Sequence, residues 1–125
     1  MKIYTMALGE LQTNCYIIVN EQTKQAVLVD PGAEAKRITD FLNSNELKLE
    51  AILLTHGHAE HIGALDTVRA QTGAPVYIHE ADAPMLSNAA ANRSSFIGAD
   101  RTYKPAEHFV QDGDFLNLAG MQIYV

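Results

Sequence analysis

An α/β layered fold is what this 125-residue chain predicts, and three observations predict it. Short apolar runs at Ala26 to Val29 and Ala51 to Leu54 read as buried strands. Between them Ala35, Ile38, Phe41 and Leu42 recur at helical spacing. Strand-then-helix alternation repeats after Leu54, where Ile62, Leu65 and Val68 mark a second helix. Segments that alternate in this way pack as a sheet with helices laid on it.

The elements follow in order. Ile3 to Leu8 and Cys15 to Val19 read as strands, with Gly9 and Asn14 bracketing a turn. Ala26 to Val29 is a strand stopped by Pro31-Gly32. Glu34 to Asn43 is a helix with one apolar face, and Ala51 to Leu54 returns as a strand. The next helix runs from Ile62 to Ala70 and ends near Thr72-Gly73. Pro75 to Ile78 is a short strand. Ala81 to Ala90 reads as a helix with Pro84 near its first turn, and Asn92 to Lys104 as a loop. Phe109-Val110, Phe115 to Leu118 and Met121 to Val125 close the chain as strands, with a turn at Asp112-Gly113. No repeat, low-complexity segment or linker interrupts them, so residues 1–125 are expected to form a single domain.

Chemistry concentrates in Thr55-His56-Gly57-His58-Ala59-Glu60-His61, which holds three of the five histidines and a carboxylate. The window lies where a strand ends and a helix begins. His56 and His58 are two apart, so an extended chain points both to one side. His58 and His61 are one helical turn apart. Imidazole is the commonest metal ligand, and a catalytic zinc site typically uses three protein ligands and an open position. His56, His58, Glu60 and His61 are therefore the candidate metal ligands. Glu60 can supply an oxygen ligand or a hydrogen bond that orients an imidazole. A solvated, histidine-rich loop is the reading this pattern outweighs.

The window resembles the metal-binding signature of the metallo-β-lactamase superfamily, with Thr55, His56, His58, His61 and Gly63 matching it. Leu11 to Val19 resembles the opening strand of the small glyoxalase II-like hydrolases, and Val27-Leu28-Val29-Asp30-Pro31-Gly32 their following strand. Asn92 to Gly98 and Asp112-Gly113-Asp114 resemble bacterial members. The resemblance implies half of an αββα sandwich, a mixed sheet with helices on one face, and specifically the N-terminal half. It implies a zinc-dependent hydrolase, of hydroxyacylglutathione hydrolase type, in which a hydroxide on the bound ion attacks a thioester. One or two zinc ions are implied, with iron or manganese also suited to such ligands. Glu60 stands where the family usually has Asp, as a ligand of a second ion. Here Glu60 would ligate that ion or, as the catalytic residue, orient the attacking water. A third histidine for the first ion, a bridging Asp and a last histidine belong to a segment beyond Val125 in the family. The alternative expectation is a non-catalytic, self-associating half-domain with a remnant metal-binding motif. Either way, an uncovered sheet face leads to an expected homodimer.

Composition narrows the function classes. Fifteen acidic residues against nine basic ones give a formal charge of −6, the opposite of a nucleic-acid footprint or an anionic-membrane anchor. No apolar run approaches the ~20 residues that span a bilayer, and no secretory leader is visible. A single cysteine makes no internal disulfide, so the expected setting is the cytoplasm. The expected partner is a small molecule such as an acyl thioester.

The remaining candidates carry less. Asp30 reads equally as a residue supporting the site or as a cap on the turn before Pro31-Gly32. Cys15, in an apolar strand, reads as a structural thiol rather than a nucleophile. His79 and His108 read as surface or capping residues. Arg93, Arg101, Lys104 and Tyr103 could face an anionic substrate but fit an ordinary solvated loop better. Asp112 and Asp114 are turn residues rather than an acid–base pair.

Overall fold

A computed structural model describes residues 1–94 and 101–125. β1 (Lys2–Leu8), β2 (Thr13–Asn20), β3 (Gln25–Val29), β4 (Lys48–Leu54), β5 (Val76–His79) and β6 (His108–Val110) form one sheet in chain order. β1, β2 and β3 pair antiparallel, whereas β3 to β6 pair parallel. Parallel neighbours need crossovers. α1 (Ala35–Ser44) carries the chain from β3 to β4, and α2 (Ala59–Ile62) with α3 (Leu65–Thr72) carries it from β4 to β5. β7 (Phe115–Leu118) and β8 (Met121–Tyr124) form a separate hairpin, tied to the sheet by Asn20 Nδ2 donating to Ala119 O at 2.9 Å.

Strand periodicity explains the layering. Cys15, Ile17 and Val19 alternate along β2 and are buried, as are Leu28 and Ile52 in register on β3 and β4. Ile38 and Leu42 of α1, Ile62 of α2 and Leu65 and Val68 of α3 join them in one apolar core. This is the α/β layering that the sequence pattern predicts and the mixed sheet with helices on one face that the family resemblance implies. The opposite face is buried along β3 and β4 at Val27 and Ala51. Along β1 and β2 it is open, with Ile3 55% and Tyr16 37% exposed.

Two predicted helices differ. The helix expected from Ile62 to Ala70 is split: α2 ends at Ile62 and α3 begins at Leu65. Close approach of another segment causes the break. A Cβ on Gly63 would overlap the carbonyl oxygen of Gly32, and Ala64 N donates to Pro31 O at 2.9 Å. The reverse holds too, since a Cβ on Gly32 would overlap the carbonyl oxygen of Glu60. The Pro31-Gly32 turn thus wedges into the helical path. The helix expected from Ala81 to Ala90 is only a 3₁₀ turn, Ala83–Ser87. Asn88 ends it, because its Oδ1 accepts from both Ala90 N and Ala91 N at 3.1 Å, a local turn that competes with helix. Of the expected loop Asn92 to Lys104, residues 95–100 lie outside the described residues, as does part of the Asn92 to Gly98 resemblance.

Arg69 is buried on α3 and anchors the segment that follows. Its guanidinium donates to Lys104 O at 2.9 Å, to Pro105 O at 2.8 Å and to both oxygens of Glu107. Glu107 Oε1 also accepts from Val76 N at 2.9 Å, so one ion pair, buried on its Arg69 side, joins α3, β5 and residues 104–107. A buried charge is tolerable only when paired and hydrogen-bonded in this way.

Two outcomes follow from this packing. Gly32→Ala is expected to destabilise the chain by about 1–3 kcal/mol in urea unfolding, the range for overpacking against backbone that cannot yield. Unchanged stability would contradict the wedge. Cys15 is fully buried, and burial pushes its thiol from an ordinary 9.0 up to about 12, with Asp30 adding in the same direction. Above pH 9 the unfolded thiol ionises while the folded one keeps its proton. Stability should therefore fall between pH 9 and about 12, by up to about 1.4 kcal/mol per pH unit. Cys15→Ala should flatten that slope even if it lowers stability overall.

Candidate metal centre

Parallel pairing of β3 and β4 sets Val29 beside Leu53 and brings the carboxyl ends of the two strands together. Ligand sites in open α/β sheets form at such ends. Asp30 leaves β3 there with φ at 56°, in the left-handed region that Asp tolerates better than most residues. Asp30 N donates to Leu53 O at 3.0 Å. The turn sends the carboxylate inward, where it is 3% exposed and fully used.

Its partners lie on the histidine window. Oδ1 accepts from Thr55 N at 2.7 Å, and Oδ2 accepts from the Thr55 hydroxyl. Oδ2 also meets His61 Nδ1 at 2.9 Å. Thr55 Oγ1 is in turn 2.9 Å from His56 Nδ1. Proton accounting assigns the tautomers. The threonine has one hydroxyl proton, and it goes to the carboxylate. His56 Nδ1 must then carry a proton and donate to Thr55 Oγ1. His61 Nδ1 must donate to Asp30. One carboxylate thereby fixes the same tautomer in both imidazoles and leaves each Nε2 as a lone-pair donor. Histidines that bind metals are commonly oriented by a carboxylate on the other ring nitrogen.

The rings converge. His56 and His61 have centroids 4.7 Å apart, and ligand atoms of Asp30, His56 and His61 all lie within 4.8 Å of one another. Among the described residues this is the group that could hold a metal ion. His58 stacks on His56, with centroids 6.1 Å apart and planes 13° apart, and stands outside that group. Glu60 also stands outside it, although its Oε1 is 3.9 Å from His61 Nε2. Nitrogen and carboxylate donors together suit zinc, iron or manganese, so the donor chemistry fits such an ion. Because both Asp30 oxygens are engaged, its role is to hold the histidines. Asp30 was readable only as a supporting residue or a cap. The added signal was positional: a carboxylate ending one parallel strand beside a histidine window ending the next.

Other candidates sit apart. His79 Nδ1 accepts from Ala81 N at 3.0 Å, and His79 Nε2 lies 3.7 Å from Asp112. His108 stacks on Tyr77 with centroids 4.5 Å apart. Cys15 is sealed in the core. Asp114 Oδ2 accepts from Gln111 N at 2.9 Å, a turn contact. Arg101 instead lines a cleft of about 630 Å³ that Glu60 also lines. Among the described residues no helix is long and apolar enough to cross a membrane.

Comparisons with known proteins bear on the family and the fold. Residues 8–124 match the description of the metallo-beta-lactamase superfamily. The probable metallo-hydrolase YqgX of Bacillus subtilis is 38% identical over 119 residues, which is 94% of this chain and 56% of that protein. Hydroxyacylglutathione hydrolase GloC of Haemophilus influenzae is 28% identical over 127 residues, covering 100% of this chain and 59% of that protein. The crystal structure of BLEG-1 B3 metallo-beta-lactamase superposes with a TM-score of 0.91 at 37% identity, over 97% of this chain and 58% of that one. The chain thus spans a little over half the length of the relatives it matches, and its sheet and helices form that share of their fold. With the family match running nearly end to end, the chain belongs to the metallo-beta-lactamase superfamily.

Proposed function

We propose that this chain carries the metal-binding part of a hydrolase that cleaves thioesters of the acyl-glutathione class. The observation that carries the reading is the shared carboxylate of Asp30, which turns two imidazoles so that both Nε2 atoms are available. The thioester class is supported by the likeness to a hydroxyacylglutathione hydrolase. His56 and His61 converge and would hold a divalent ion, with His58 and Glu60 the further candidate ligands should a second be held, zinc first and iron or manganese as alternatives. Such an ion supplies an acidified water and polarises a carbonyl oxygen. The chain's own residues do the rest. Asp30 and Thr55 keep the imidazoles oriented. Glu60, 3.9 Å from His61 Nε2, is the group that would take a proton from an attacking water. A buried lone thiol fits a cytoplasmic setting.

A second reading, a self-associating half-domain with only a remnant motif, is favoured by the open stretch of sheet. Ile3 pairs in register with Ile18 on that face, and Tyr16 lies one position along. Contiguous exposed apolar surface marks an interface, and a second copy of the chain would cover it.

The two readings separate experimentally. Protein purified with zinc is expected to bind it measurably in a chelator-competition titration and to hydrolyse an S-acyl glutathione in a chelator-sensitive way. Asp30→Asn keeps the size of the side chain but cannot accept from both partners. It should weaken zinc binding about 10- to 100-fold with the circular dichroism spectrum unchanged. Metal-free protein without turnover would overturn the hydrolase reading. For the second reading, sedimentation at micromolar concentration should give a dimer, and Ile3→Lys should give a monomer. A wild-type chain that stays monomeric would exclude it.

A further inference from the structure

We propose that the cleft beside α2 binds an uncharged, apolar acyl group, the part of the substrate that lies on the far side of Glu60 from the histidines. The proposal rests on the hydrolase reading for its catalytic consequence, though not for the binding itself. The cleft holds about 630 Å³, within the range of about 300–1,000 Å³ typical of small-molecule sites. Its lining is mostly apolar or small: Leu8 and Leu11 from the β1–β2 turn, Ala33 and Ala35 at the start of α1, and Ala59 and Ala64 around α2.

Three side chains hold its walls from behind. Glu34 Oε2 accepts from Gly9 N at 3.0 Å, and Arg37 Nη1 donates to Ala7 O at 3.0 Å, so α1 pins the turn that forms one lip. Arg101 Nη1 donates to Gly63 O at 3.2 Å and its guanidinium lies over the Tyr103 ring at 5.0 Å, which fixes the opposite wall. Preformed walls spare a ligand the entropy of ordering them. The charges on the lining argue against an anionic occupant, and the apolar lining against desolvating a cationic one. Glu10, Glu34 and Glu60 outnumber Arg101, so an anionic group would be repelled. Glu60 is shared: it lines the cleft, and its Oε1 reaches to 3.9 Å from His61 Nε2. An acyl chain seated in the cleft would lie beside Glu60, the residue that links the cleft to His61.

Thr67, exposed in the middle of α3, lines the cleft and can be enlarged without touching the core. The test uses hexanamide, a neutral amide that is not a thioester, with acetamide as the short-chain control. Titration of metal-free protein should shift the methyl resonances of Ala33, Ala59 and Ala64 with hexanamide and barely with acetamide. Thr67→Trp should weaken hexanamide binding about tenfold, the effect of two methylenes left in water, while Thr67→Ser should bind as the parent does. In zinc-loaded protein that turns over a thioester, Thr67→Trp should raise KM for a hexanoyl thioester and leave an acetyl thioester unchanged. Failure of turnover in every form would strike the hydrolase reading and leave the amide titration standing. Absence of methyl shifts, shifts confined to the Ile3 and Tyr16 face, or equal binding by Thr67→Trp would overturn the cleft proposal.

Discussion

The buried carboxylate of Asp30 is the interaction on which the rest of the site depends. It is almost wholly removed from water and satisfied by Thr55 N, the Thr55 hydroxyl and His61 Nδ1. A buried carboxylate without such partners would be costly. With them, it joins the ends of two parallel strands and fixes the proton positions of two imidazoles. No other described residue touches β3, the β4 exit and α2 through one side chain in this way. Stability and chemistry therefore share an atom. The hydrogen bonds that satisfy a charge in the core are the ones that turn His56 and His61 outward for an ion.

Backbone packing supplies the second constraint. Gly32 and Gly63 face each other across a contact that admits no side chain on either. Pro31 O captures Ala64 N, so the chain cannot run as one helix from Ala59 to Thr72. The interruption has a use. It leaves α2 as a single turn, bearing Glu60 and His61, that is positioned by the neighbouring strand exit rather than by the axis of α3. Had the helix continued, the direction of His61 would have followed α3, and the bond to Asp30 would have had no reason to form.

Much of this was legible in the sequence, for identifiable reasons. β3 and β4 were readable because Ala26 to Val29 and Ala51 to Leu54 are unbroken apolar runs, the mark of strands covered on both faces. α1 was readable because Ile38 and Leu42 fall on one stripe. The histidine window was readable because its chemistry is local. What escaped was what depends on distant segments. The break at Gly63 is enforced by Gly32, thirty-one positions away, and a helical period carries no trace of it. The 3₁₀ turn at Ala83–Ser87 was over-extended because alanines at 89 to 91 favour helix, while the Asn88 side chain bonds instead to their backbone. Asp30 as the organiser of the site required knowing that β3 and β4 are neighbours, a matter of topology rather than pattern. The role of Arg69 gave no signal, since apart from Asp66 its partners lie 35 to 38 positions ahead.

Position 60 shows how the two constraints act together. The superfamily signature that this window resembles has Asp there, and this chain has Glu. The backbone at 60 has no freedom to adjust, because its carbonyl oxygen lies against Gly32 Cα. The extra methylene must then be expressed in the side chain alone. In this structure the longer side chain leaves Oε1 3.9 Å from His61 Nε2 and outside the tight group of Asp30, His56 and His61. Glu60 also lines the apolar cleft. An Asp on the same backbone would end one bond sooner, so its carboxylate would reach a different point. What a rigid turn at Gly32 does to the backbone decides what one methylene does to the site.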